Sequence, residues 1–565
     1  MSLRFAPSPV FGAMRRGLEM DSHAHVGGSR SAGTATDTEG ADEIPAVGGA
    51  AEAADGPGGE FVHELLDKAV AATPHAPAVR DADGRWSYAE MDEASHAVAV
   101  WLERRGLGAG DRLVVQLPTG RELAAMFYGA SRRGVIFVPL NPAMKPFHLR
   151  SVVANCRPAL FVTDHDGDAR AGELTLPAEG DAPAGPVSRT LFEEIWPEIA
   201  ALRDSGVRTA PVPLRSEDPA ALIYTSGSTA APKAVICPHA QVTFATRALV
   251  SSLGYRADDV VFCRFPMSWD YGLYKVLMSC AVGSEIVLAD RAEDLLLLRR
   301  MREVGATVVP TVPSLASMIV KLGRRADGQV PPVRMFTNTG AALPSSVISE
   351  LRDLFPGTRV VRQYGQTEAK RITVMPPEED QERPDAVGLP LPGTRVLILD
   401  EQGRPVPVGE TGEIVAEGGH VMPGYWGAPE LSARTFRRDA ESGQLRLHTG
   451  DYGSLDSDGY LYFRGRRDDM FKRKGFRMST LEIEAAAMDI PGVRAAAAVP
   501  PGDRHDLALF VETELDPRVV IKELAVRLEP AKVPAICRAL AEFPLTQHGK
   551  NARQELARLL DGRDK

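Results

Sequence analysis

The sequence predicts an α/β fold: a large N-terminal domain of α/β sheets with a small β subdomain, then a small α+β C-terminal domain. Three observations lead there. Segments of helical period alternate with short β-branched apolar runs between Phe61 and Val309. From Val396 to Ala416 the texture turns to short strands cut by Gly, Pro and acidic turns, and beyond Arg466 a compact helix and strand pattern follows. Alternation of the first kind suits a sheet covered by helices on both faces.

Residues 1–60 come first. They are rich in Gly, Ala, Ser, Asp and Glu and carry neither a helical nor a strand period. Such a segment buries too little apolar surface to offset its ordering entropy, so a disordered tail is expected. Residues 61–467 form the expected core domain. Phe61, Leu65, Leu66, Ala69 and Val70 recur at helical spacing, and Ala89 to Arg104 repeats the pattern. Strands are expected at Leu113–Val115, Val135–Val138, Leu160–Val162, Glu285–Leu288 and Ala306–Val309. Residues 468–565 form the small domain, with helices at Leu481–Met488 and Val519–Arg527 and strands at Ala495–Val499 and Leu507–Val511.

Composition narrows the function classes. A chain of 565 residues can bury a large core and divide into several domains. Its net charge of −10 argues against a general nucleic-acid binder. Cys156, Cys237, Cys263, Cys280 and Cys537 have neither CxxC pairing nor metal-ligand spacing, which points to reduced thiols in a cytoplasmic protein. No apolar run approaches the ~18 residues that span a membrane. Arg15 and Arg16 are not followed by an apolar stretch, so no secretory signal is expected.

Three short stretches carry chemistry. Tyr224 to Lys233 reads YTSGSTAAPK after the apolar run Ala220 to Ile223. Its Gly and small hydroxyl residues let backbone N–H groups approach phosphate oxygens, and Lys233 adds charge. The pattern GxxxxGK[ST] is absent, which excludes an ordinary P-loop. Gln363 to Glu368 reads QYGQTE: Glu368 suits Mg²⁺ and Thr367 a phosphate oxygen. In Thr449-Gly450-Asp451 the aspartate can accept hydrogen bonds from both ribose hydroxyls. Each stretch taken alone also reads as an ordinary polar turn.

Further motifs follow in order: Thr339 to Pro344 (TGAALP), Asp458 to Tyr462 (DGYLY), Gly465 to Asp469 (GRRDD) and Pro544 to Lys550 (PLTQHGK). Together they resemble the superfamily of acyl- and aryl-CoA synthetases, peptide-synthetase adenylation domains and luciferases, over about Phe61 to Leu556. The resemblance implies ATP-dependent adenylation of a small carboxylic acid, giving an acyl-AMP and pyrophosphate. It implies that Thr225, Ser226, Gly227, Ser228, Thr229 and Lys233 hold the β- and γ-phosphates, and that Gly340, Ala341, Ala342 and Tyr364 lie against adenine. Thr367 and Glu368 would serve the α-phosphate and Mg²⁺, and Asp451 and Arg466 the ribose. Lys550 matches the lysine that bridges the substrate carboxylate and the α-phosphate. Attack of a carboxylate on a polyphosphate joins like charges, and a cation with Mg²⁺ offsets the repulsion. Asp468 falls at the hinge of a mobile C-terminal domain, whose rotation would bring Lys474 and Gly475 to a pantetheine channel. Ala230 and Ala234 stand where relatives usually have Gly, and His548 where Asn is commoner.

The resemblance also sets the acid pocket. Asp270, in Ser268 to Gly272, matches the aspartate that pairs with a substrate ammonium in amino-acid-activating relatives; CoA-ligase-like relatives carry a similar segment. Tyr271, Tyr274, Pro310, Thr337, Thr339, Gln363, Arg371 and Ile372 line the rest, more polar than a fatty-acyl tunnel wants. Arg371 suits a second anionic or carbonyl group, or else a salt bridge at the surface. A small polar or amino acid is the favoured substrate. The acceptor is a phosphopantetheine thiol, on a separate carrier protein (no carrier segment follows Lys565) or on free coenzyme A. A non-catalytic nucleotide-binding scaffold is the third reading, opposed by the joint presence of Glu368, Asp451 and Lys550.

Overall fold

A computed structural model describes residues 60–144, 146–171, 174–176, 185–225, 233–289, 294–326, 329–466, 470–473, 476–502, 505–528, 530, 532–541, 543 and 553–560. The expected tail (residues 1–60), apart from Glu60, and the expected boundary at 467 and 468 lie outside the described residues. So do Ser226, Gly227, Ser228, Thr229, Asp468, Lys474, Gly475 and Lys550.

Two sheets organise the large domain. In the nine-stranded sheet, the strands Pro77–Asp81, Glu285–Leu288, Val260–Cys263, Val308–Thr311, Met335–Asn338 and Arg359–Tyr364 run parallel, with antiparallel strands at both edges. The six-stranded sheet is parallel through Ile136–Pro139, Arg112–Gln116, Leu160–Thr163 and Arg189–Leu191, and ends in the hairpin Pro219–Thr225 and Lys233–Pro238. Strands buried on both faces are uniformly apolar: Ile136–Pro139 and Leu160–Thr163 are buried at every position. The expected strand at Ala306–Val309 begins two residues later, at Val308, because Ala306 closes the preceding helix through its N–H to Met301 O.

Helices pack on these sheets through apolar faces. The helix Tyr88–Arg104 starts at a capping box in which Ser87 and Glu90 satisfy each other's backbone N–H groups. One apolar cluster runs from Val62 to Leu461 and includes the fully buried Trp101, Phe127 and Phe336. The expected β subdomain is the five-stranded antiparallel sheet of Thr394–Leu399, Gly412–Gly418, Leu445–Leu455, Phe436–Arg438 and Leu461–Arg466.

After residue 470 the chain builds separate apolar clusters around Ile483, Leu509, Val520, Phe510 and Leu556. A three-stranded sheet of Val493–Val499, Ala508–Thr513 and Ile536–Leu540 packs with the helices Thr480–Met488, Pro517–Arg527 and Arg553–Leu560. The fold class read from the sequence is therefore the one observed. The five cysteines are free thiols. No helix among the described residues is long and apolar enough to cross a membrane.

Candidate functional site

The site is assembled along one short segment. The strand Arg359–Tyr364 runs out of the parallel sheet, and the next eight residues turn back so that Ile372 N donates to Tyr364 O at 2.9 Å. Carboxyl ends of parallel strands are where open α/β sheets bind ligands. The turn needs Gly365: a Cβ there would stand 2.6 Å from the Arg371 Cα. At its far side Lys370 (φ +31°) and Arg371 (φ +148°) adopt backbone conformations rare for L residues, each costing about 1–3 kcal/mol.

At the first end of this segment, Tyr364 Oη donates to Asp451 Oδ2 at 2.7 Å, and Gln366 Nε2 donates to the same oxygen at 2.9 Å. Asp451 lies opposite Arg466 on the neighbouring strand, with Arg466 Nε 3.4 Å from Oδ1. Burial and then the Asp451 charge raise the Tyr364 phenol well above its ordinary range, so it stays a donor. Thr449 Oγ1 anchors the bend by donating to Ile414 O at 2.6 Å, and Gly450 bends there at φ +69°. A carboxylate held this way can accept from vicinal hydroxyls. Phe463 lies 5.3 Å from the Tyr364 ring. Gly340, Ala341 and Ala342 form an exposed turn, tied by Asn338 Nδ2 to Ala341 O at 2.9 Å.

In the middle, Thr367 and Glu368 occupy a single 3₁₀ turn, Thr367–Ala369. Tyr425 Oη donates to Glu368 Oε1 at 2.7 Å, and Met422 N donates to the Glu368 carbonyl at 2.9 Å. Lys233 Nζ lies 5.8 Å from the Tyr425 ring centroid. Lys233 pairs with Thr225 across the hairpin whose connecting residues, 226–232, are those expected at the phosphates. Tyr425 therefore joins the root of that loop to the carboxylate expected to bind metal. The second carboxylate oxygen of Glu368 has no partner among the described residues, and no cluster of three or more acidic, His or Cys ligands occurs there. One hard oxygen beside nucleotide phosphates fits Mg²⁺, which keeps waters and few protein ligands.

At the other end stands a charged pocket. Asp270 opens the helix Asp270–Val282, whose first turn fits against its neighbour only because residue 272 is Gly: a Cβ there would lie 2.3 Å from Pro266 O. Lys370 Nζ donates to Asp270 Oδ2 at 2.8 Å, and Arg371 Nη1 lies 3.8 Å from that oxygen. Burial works to raise the Asp270 carboxyl, but the Lys370 and Arg371 charges overcome it and hold it below its ordinary range. Lys370 is only 1% exposed and Arg371 3%, which decides against a surface salt bridge for Arg371. Arg371 Nε also donates to Gln363 Oε1 at 3.1 Å.

The remaining pocket residues surround this trio. Tyr271 Oη bonds Thr337 at its carbonyl (3.1 Å) and hydroxyl (2.9 Å). The Arg371 guanidinium lies 5.0 Å from the Tyr271 ring centroid, and the Lys370 ammonium 4.6 Å from that of Tyr274. Pro310 pairs with Thr337 in the sheet, Thr339 N reaches Thr311 O at 3.4 Å, and Ile372 is fully buried beside Arg371. Lys370, Tyr425 and Gln366 were missed by sequence reasoning. Lys370 adjoins Arg371 in the chain, so the pair of cations was the available signal.

Comparison with known proteins accords with this geometry. A family model described as "AMP-binding enzyme" matches residues 66–426. CymA of Salinispora arenicola (strain CNS-205), a probable non-canonical nonribosomal peptide synthetase, is 32% identical over 504 residues. That match covers 87% of this chain but only 6% of CymA. The crystal structure of VinN is 51% identical with a TM-score of 0.67, covering 72% of this chain and 99% of VinN. VinN is also known in complex with L-aspartate and with 3-methylaspartate. ATP-bound MatB from Rhodopseudomonas palustris is 26% identical with a TM-score of 0.76, covering 90% of this chain and all of that one. The chain thus belongs to the AMP-binding enzyme family.

Proposed function

We propose that this enzyme adenylates an amino dicarboxylic acid of the aspartate type and then transfers the acyl group to the phosphopantetheine thiol of a carrier protein. The observation that carries the reading is the trio Asp270, Lys370 and Arg371, two buried cations against one carboxylate. A buried charge is tolerated only when matched. An acid with one ammonium and a second carboxylate gives each of these groups an opposite neighbour: Asp270 takes the ammonium, and Lys370 with Arg371 takes the carboxylate that does not react. A fatty acid supplies neither. The VinN complexes with L-aspartate and 3-methylaspartate support this class, and the peptide-synthetase relative supports a carrier protein as acceptor.

The same trio bears on which carboxylate reacts. Asp270 and Lys370 are in direct contact, so an ammonium and a carboxylate seated on them are neighbours, as on one α-carbon. The distal carboxylate is then left to meet the α-phosphate. In the adenylation step Thr225 and Lys233 steady the terminal phosphates, and Tyr364, Asp451 and Arg466 the nucleoside. Glu368 would hold Mg²⁺, which would supply neutralisation of phosphate charge. Lys550 supplies the cation between carboxylate and α-phosphate. Asp468 serves as the hinge, and Lys474 with Gly475 lines the thiol's path in the second half-reaction.

ATP–pyrophosphate exchange across amino dicarboxylic, neutral amino, hydroxy, aryl and fatty acids tests the substrate class. Exchange with L-aspartate or 3-methylaspartate at least tenfold above the neutral amino acids is expected. Exchange confined to monocarboxylic acids would refute the reading. Supplying coenzyme A and carrier proteins in parallel then identifies the acceptor, and thioester formed only on coenzyme A would overturn the carrier assignment.

A further inference from the structure

A third cation in the acid pocket has no part in the chemistry above. Lys275 lies one turn beyond Tyr271 on the helix Asp270–Val282 and is 2% exposed. Its Nζ sits 5.0 Å from the Tyr271 ring centroid and 5.4 Å from that of Tyr255. Among the described residues its hydrogen-bond acceptor is the Met278 thioether at 3.8 Å, a weak one, and no carboxylate pairs with it. Lys370 and Arg371 approach the same Tyr271 ring, at 5.5 and 5.0 Å. Three basic side chains therefore gather at one buried ring, and the carboxylate there, Asp270, is engaged by Lys370 and Arg371.

That imbalance matters because the surroundings are desolvated. Burial first, and then the Arg371 charge, push the Lys275 ammonium down to about 7. A carboxylate docked on Lys370 and Arg371 cancels the repulsion and places an anion within reach in a medium of low dielectric. The groups facing Lys275 are Asp270 and Tyr271 on its own helix, Cys263 on the adjacent strand, Tyr255 before it, and Lys370 with Arg371 across the pocket. Burial raises Tyr255, Tyr271 and Tyr274 above their ordinary range, Asp270 is held below its own, and burial first pushes the Lys370 ammonium well below the usual lysine range. The half-buried His63 and the buried His96 and His420 are held at about 4 and His239 at about 3, outside the window in question.

We propose that Lys275 is a positioning residue that takes up a proton from solvent when the second carboxylate of the acid binds, and that in its charged form it braces Tyr271 and Arg371 around that carboxylate. The inference rests on the amino dicarboxylic reading above. It makes acid affinity proton-linked: the charged form, favoured below pH 7, binds the dicarboxylate more tightly, and affinity falls as pH rises. A monocarboxylic acid, bringing no second anion, draws no proton.

Calorimetric titration of the full-length enzyme with L-aspartate or 3-methylaspartate, without ATP, in buffers of differing ionisation enthalpy counts the protons taken up. At pH 7.5 the wild type should take up more than half of one proton, and its Kd should weaken roughly three- to tenfold between pH 7.0 and 8.5. Lys275→Met should lose the uptake and vary less than twofold over that range, with KM in pyrophosphate exchange raised more than kcat is lowered. Lys275→Arg, permanently charged, should bind tightly without uptake. No uptake in the wild type, or unchanged uptake in Lys275→Met, overturns the proposal; the latter result would move the proton to Lys370. If neither acid binds nor supports exchange, the substrate reading itself fails and this inference falls with it.

Discussion

Lys370 Nζ and Asp270 Oδ2 meet at 2.8 Å across a hundred residues of sequence, joining a strained turn to the first residue of a helix. The contact fixes the proposed acid pocket because each side chain is the other's counter-ion. Removing one strands the other.

Asp270→Asn keeps the shape of that pair and deletes its negative charge. Loss of the ammonium partner and an uncompensated Lys370 should cost about 3 kcal/mol of acid binding, roughly 100-fold in KM. The Kd for ATP should stay within twofold. Exchange kinetics with the preferred acid, alongside nucleotide titration, check both halves.

Tyr364→Phe tests the opposite end of the same segment. It removes the donor to Asp451 Oδ2 while Gln366 keeps that oxygen bonded. The KM for ATP should rise about tenfold, near 1.5 kcal/mol, with the KM for the acid unchanged. An equal rise in both would point to a general loosening of the turn.

Tyr425→Phe releases Glu368 Oε1 from its 2.7 Å hydrogen bond. Partners that orient metal ligands are worth roughly 10- to 100-fold in metal affinity. The Mg²⁺ concentration for half-maximal exchange should rise by about tenfold and saturating Mg²⁺ should restore most activity. A variant indifferent to Mg²⁺ would remove Tyr425 from the metal's support.

His420 makes the fold sensitive to acid. It is fully buried, both ring nitrogens have no hydrogen-bond partner among the described residues, and burial pushes its pKa from 6.5 to about 4. Between those values the unfolded chain binds more protons than the folded one, so stability rises with pH through the window and levels off above 6.5. From pH 7 to 5 the residue should cost about 2 kcal/mol of stability. Denaturant unfolding of wild type and His420→Leu at both pH values measures it, and the variant should lose less stability on acidification.

Much of this was legible in the sequence, for identifiable reasons. The buried parallel strands announce themselves as short β-branched runs, so Glu285–Leu288 was read at its full length. Asp451 and Tyr364 were named separately, and the fold brings them into contact. Lys370 was passed over because its role depends on a backbone turn that residue type does not favour: at φ +31° a lysine beside an arginine reaches Asp270 instead of solvent. The bond from Tyr425 to Glu368 spans 57 residues and belongs to neither motif. Lys275 sits inside an apolar helical pattern, where periodicity records only that the position is buried.

The segment from Gln363 to Ile372 carries the residues proposed for nucleoside, metal and acid on a single stretch of backbone. Its consequence is evolutionary. A substitution at Lys370 or Arg371 that suited a different acid would also shift the turn that Glu368 and Tyr364 stand on, so new specificities are costly there. In the proposed reading the helix at Asp270 and the residues Pro310 and Thr339 serve the acid without bearing the nucleotide. Descendants of this enzyme with altered diets should differ first at those positions, while the shared turn stays as it is.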